Sequence, residues 1–168
     1  MTIKLEWKKA ATSLCAGMTM LAMPAQAADK AGDSALRDAE RMIARCLDYV
    51  ASQKLTPFSV GVIDASGTLV AFKRQDGASP ATAEAALLKA RTALRLNAPT
   101  AVLGGVAAAD APTRDAFLIM QMTTLPGGVP LADDKGRVSG AVGVSGGSAE
   151  QDAECARRAA EPAAAKLK

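Results

Sequence analysis

Ser145 is the residue whose surroundings most resemble a reactive centre. It sits in Gly143-Val144-Ser145-Gly146-Gly147, the Gly-x-Ser-x-Gly form of a hydrolase nucleophile elbow, between a strand-like run and a helix start. A serine nucleophile needs a base, normally histidine, and the 168 residues contain none. Lys89 is a conceivable substitute, but nothing in the spacing brings it to Ser145. The motif therefore reads as a turn in which glycine permits positive φ and close packing, and no catalytic residue is assigned. Immediately downstream, Ser148 and Gln151 have the spacing of a capping box. Strand, tight turn and helix start together make a place to receive an anion or the polar edge of a ligand, through Ser145, Gly146 and Gly147.

A second group of polar residues lies upstream. On a helical wheel Thr82 and Lys89 fall together at the boundary of an apolar face built from Ala83, Ala86, Leu87, Ala90, Ala93 and Leu94. A hydroxyl and an ammonium there are suited to a carboxylate, with Arg74 and Asp76 near the same cleft. The bland alternative is a solvated helix edge and a surface ion pair. An iron ligand would have to come from Tyr49, Met120, Met122 or a cysteine. Tyr49 projects away from the apolar stripe of its helix, and the methionines sit in an apolar run that suits core or subunit interface. No metal site is expected.

These residues need a scaffold. Ala28–Asp33 reads as a flexible lead. Ser34 can cap a helix to about Gln53, with Leu36, Ala39, Ile43, Cys46, Leu47 and Val50 along one face. Phe58–Asp64 and Thr68–Lys73 read as a hairpin around Asp64-Ala65-Ser66-Gly67, and Asp76–Pro80 as a loop before a helix over Thr82–Leu96. Asn97–Pro112 has no persistent period and reads as surface-wrapping chain, followed by a short helix over Thr113–Met122. Val129–Ala132 and Arg137–Val144 form a second hairpin, and Ala149 to about Ala160 closes the chain as a helix. Strands joined in tandem by tight turns pair antiparallel, so the class is α+β.

The first residues read as a secretory signal. Lys4, Lys8 and Lys9 precede an uncharged run, Ala10–Met23, and Ala25-Gln26-Ala27 supplies a cleavage site. The run is too short for a membrane-spanning helix, which needs roughly 20 residues. The expected arrangement is a cleaved segment 1–27 and a single domain over 28–168, periplasmic or secreted, with no membrane attachment after cleavage. Removing residues 1–27 lowers the formal charge from +3 to +1. A nearly neutral domain has no electrostatic footprint for nucleic acid. Two cysteines remain, Cys46 and Cys155. In an oxidising compartment they read as a disulfide, with two buried free thiols as the alternative. The aromatic-poor, Ala-rich core buries little area per residue, which favours self-association.

The ordered series VGVIDASGTLVAFKRQDGASPAT, LLKARTAL, GGVPL and VSGAVGVSGGSAEQD resembles the GlcG/HbpS-like family, described as haem-binding or haem-degrading. The match runs from about Val60 to Cys155. The resemblance implies a profilin-like fold with N- and C-terminal helices on one face of an antiparallel sheet. It also implies a tetrameric or octameric homo-oligomer and haem or a related tetrapyrrole as ligand. Exported relatives are similar in carrying one cysteine in each terminal helix, which supports a Cys46–Cys155 bridge. Where many relatives read Pro-His-Thr, this chain reads Pro80-Ala81-Thr82, so haem would be held without imidazole. The expected ligand site comprises Arg74, Asp76, Thr82, Lys89, Ser145, Gly146 and Gly147. The alternatives are an enzyme or accessory factor acting on a small organic acid, and a structural oligomer without ligand.

Overall fold

The computed structural model describes residues 26–133 and 135–161; the predicted signal segment lies almost wholly outside them. Its elements follow the sequence patterns. The stripe Ala39, Ile43, Cys46, Val50 recurs every three or four residues, and all four side chains are buried along α1 (Gln26–Ser52). Leu36, assigned to the same stripe, stays exposed. The helix begins before Ser34 and takes in the expected lead, Ala28–Asp33, whose alanines, lysine and aspartate contain no helix breaker except Gly32.

β1 (Ser59–Asp64) and β2 (Leu69–Arg74) form the first hairpin. Its turn is held by the Asp64 carboxylate, which accepts from the backbone N–H of Ser66 at 2.8 Å and of Thr68 at 3.0 Å. These hydrogen bonds, with that of the Ser66 hydroxyl foremost, hold Asp64 below the usual carboxylate range. β3 (Gly128–Ala132) and β4 (Val138–Ser145) form the second hairpin, and β1 pairs with β4 to give an antiparallel sheet in the order β2-β1-β4-β3.

Alternation along the strands divides the core. Val60, Val62, Val142 and Val144 point to one face, where they meet α1 and α5 (Ala149–Ala160). Ile63 and Ala141 point to the other, against Ala90 and Ala93 of α2 (Pro80–Leu96). The terminal helices therefore share one face of the sheet and α2 covers the opposite one. Cys46 and Cys155 form a disulfide between α1 and α5, with Cα atoms 4.7 Å apart. Arg45 reinforces that contact by donating to the carbonyls of Arg158 and Ala159 at the end of α5, at 3.2 and 2.6 Å.

The stretch Asn97–Pro112, expected to be irregular, is largely helical. A 3₁₀ turn at Thr100–Val102 leads into α3 (Leu103–Ala109), and α4 runs over Ala111–Ile119. Pro99 and Pro112 act as helix starters here, where proline's missing N–H costs nothing. The Asp110 carboxylate accepts from Thr113 N–H at 2.9 Å and caps α4. No helix among the described residues is long and apolar enough to cross a membrane.

Candidate functional site

The β4–α5 junction forms as its sequence suggests. Ser148 caps α5, accepting from Gln151 N–H, while the Gln151 side-chain oxygen accepts from Ser148 N–H at 2.9 Å. The anion received by the preceding turn, however, is the chain's own. Asp152 is buried, and its carboxylate accepts from Gly147 N–H at 2.9 Å and from the Lys89 ammonium at 2.6 Å. Lys89, only 3 % exposed, also donates to the Val144 carbonyl at 2.9 Å. Burial pushes the Asp152 carboxyl above its ordinary range, against the opposing pull of Lys89 and Gly147 N–H. This closed knot of α2, β4 and α5 uses up the ammonium that the helical wheel placed at a solvent boundary. The turn is also filled from within. A Cβ on Gly146 or Gly147 would come within 2.6 or 2.7 Å of Phe58.

Thr82 is likewise engaged. Its hydroxyl donates to the Ser79 carbonyl at 2.6 Å, so the 2.8 Å contact with Ser59 is a bond donated by Ser59. In the sheet, Ser59 is paired with Arg74 on β2 and with Ser145 on β4. The structure thus brings Arg74, Thr82 and Ser145 to one end of the sheet around Ser59, a residue that the sequence did not single out. The Ser145 hydroxyl has no hydrogen-bond partner among the described residues, and Lys89 is committed to Asp152 and Val144. The Ser–Lys pairing that hydrolysis would need is not formed.

Arg74 and Asp76 open instead on a cleft of about 430 Å³ between the end of α1 and β2. Val50, Ala51, Leu55 and Pro57 supply an apolar wall. Lys54, Lys73 and Arg74 stand on its rim with Asp76, a net charge of +2. Arg74 donates to the Ala78 carbonyl at 3.0 Å, which fixes its guanidinium beside the loop. Among the described residues the ammonium groups of Lys54 and Lys73 have no intramolecular hydrogen bond or ion pair. They are nineteen positions apart, and only the packing of α1 beside β2 brings them together, so no local motif announces them.

The remaining ligand candidates are accounted for elsewhere. The Arg158 guanidinium lies 4.7 Å from the ring centroid of Tyr49. Met122 is buried and Met120 exposed, while both cysteines are in the bridge. Among the described residues no group of three or more His, Cys, Asp or Glu is placed to hold a metal ion.

A family model described as haem degrading protein HbpS-like matches residues 34–161. The chain belongs to the HbpS-like family. Solved structures agree. HbpS from Streptomyces reticuli, in a doubly substituted form, is 32 % identical over 74 % of this chain and 83 % of its own, with a TM-score of 0.67. PduOC, solved in complex with haem, is 30 % identical over 73 % of this chain and 89 % of its own, with a TM-score of 0.66. The Klebsiella pneumoniae protein ORFY is 26 % identical over 74 % and 86 %, also at 0.66. No curated protein matches this chain.

Haem fits the cleft in one respect and not in another. Its two carboxylates would meet cations, and its flat apolar body an apolar wall. The iron finds none of the usual axial donors, since no histidine, free thiolate, methionine or tyrosine lines the cleft.

Proposed function

We propose that this HbpS-like chain is an exported binding protein for haem or a related tetrapyrrole, held between α1 and β2 by its apolar body and its carboxylates. The cleft carries the reading: an apolar wall and a +2 rim in a volume typical of small-molecule sites. Family membership and the haem complex of PduOC support the ligand class. The uncharged run after Lys4, Lys8 and Lys9, and the Cys46–Cys155 bridge, support export. Of the residues first assigned to the site, Arg74 and Asp76 line the cleft, Arg74 as a cation for the ligand's carboxylates. Thr82, Lys89, Ser145, Gly146 and Gly147 hold the neighbouring end of the sheet. Nothing in this reading requires turnover.

The chain is also proposed to self-associate. Leu118 and Ile119 of α4 are 68 and 82 % exposed, and α4 buries no residue in its own chain. A helix of nine residues is marginal alone in water, so a partner surface would stabilise it.

Titrating the purified mature chain with hemin and following the Soret band tests the binding reading. Saturation at about one hemin per chain is expected. Linear uptake without a plateau would overturn it.

A further inference from the structure

We infer that the cleft recognises the carboxylate-bearing edge and flat body of a tetrapyrrole and not its metal, so that iron-loaded and iron-free forms bind alike. This rests on the binding reading above and narrows it to a ligand class: planar, apolar dicarboxylates, metal-free porphyrins included.

Three observations carry it. First, the rim is built for anions. Lys54 and Lys73 present ammonium groups unclaimed by any described residue, and Arg74 is held beside them by the Ala78 carbonyl. Partly exposed cations over a low-dielectric wall give charge complementarity, and a net +2 matches two carboxylates. Second, the same residues offer iron almost nothing. Lysine ammonium and guanidinium are donors without an acceptor lone pair, and the wall is hydrocarbon. Third, the groups that do ligate haem iron do not line this cleft. The chain has no histidine, Cys46 and Cys155 are bonded to one another, and Tyr49 lies under Arg158 beside a different depression, with Arg45 and Ser52.

Asp76 is the one carboxylate lining the cleft, the Gln75 amide oxygen being taken by Phe58 N–H, and it makes a sharp control. As a rim charge it repels a carboxylate, so Asp76→Asn should tighten iron-loaded and iron-free ligands together. As an iron ligand it would make the same substitution weaken hemin alone.

The full mature chain is titrated in parallel with hemin, metal-free protoporphyrin and the dimethyl ester of protoporphyrin, by absorbance and by porphyrin fluorescence. The two diacids are expected to bind within about threefold of each other, and the diester at least about tenfold more weakly. Saturable hemin binding without metal-free binding would overturn the inference and leave the function standing. Failure of both diacids to saturate would overturn the function and the inference with it. Equal binding of the diester, or a loss confined to hemin in Asp76→Asn, would also overturn the inference.

Discussion

Asp152 is the residue on which the end of the sheet turns. Its carboxylate joins the Lys89 ammonium of α2 to Gly147 N–H at the head of α5, in a place shielded from water. Breaking a buried pair leaves an uncompensated charge, so Asp152→Asn should cost about 3–5 kcal/mol in urea denaturation. A loss below about 1 kcal/mol would mean that the pair is solvated. Glu154, two residues on, behaves in the opposite sense to a desolvated acid. Hydrogen bonds from Arg157, and then Arg158, hold its carboxyl down at about 2. A lowered folded-state value contributes stability above about 4.5 that is lost as pH falls towards about 2. Stability measured against pH should show wild type and Glu154→Gln separated at pH 6 and converging as pH falls from about 4.5 to about 2. Curves that stay parallel would contradict that assignment. Neither Asp152 nor Lys54 was legible in the sequence as a partner. An acid in a first helical turn and a lysine after a helix are commonplace, and their meaning comes from contacts 63 and 19 residues away along the chain.

Among the elements, the packing of α2 on β4 shows best what a sequence reveals. Gly143 lies on the strand face turned towards α2, and a Cβ there would run into the Ala86 carbonyl and the Ala90 backbone nitrogen. The small residues of VSGAVGVSGG, facing the alanines of α2, are therefore a condition for helix and sheet to approach closely. Gly143→Ala should force α2 outward and lower stability by about 1–3 kcal/mol or more, read as a fall in Tm. An unchanged Tm would mean that the contact is loose. The hairpins, the capping box and the alternating strands were readable because each is a local pattern. Asn97–Pro112 was not. It lacks a persistent period and reads as surface-wrapping chain, but its prolines stand at helix starts, where they are favoured. The candidate site was legible in part. Polar residues were assigned to α2 and the glycine turn from spacing alone, whereas packing decides which of them remain available to a ligand.

At the scale of the whole molecule, family membership, fold and disulfide are consistent with the order of motifs along the chain. The terminal helices cover one sheet face, α2 covers the other, and α3 and α4 carry apolar side chains that the protomer does not bury. If this surface joins copies of the chain, Ile119→Asp should shift the mass seen by light scattering to a smaller species. A mass equal to that of wild type would exclude that surface as the contact. The cleft at the end of α1 carries the proposed function, and its two lysines can be changed without breaking any bond found among the described residues. The decisive measurement is the hemin dissociation constant of wild type against Lys54→Glu/Lys73→Glu. The account predicts at least about a tenfold loss of affinity at unchanged Tm. Equal affinity in the two proteins would contradict it.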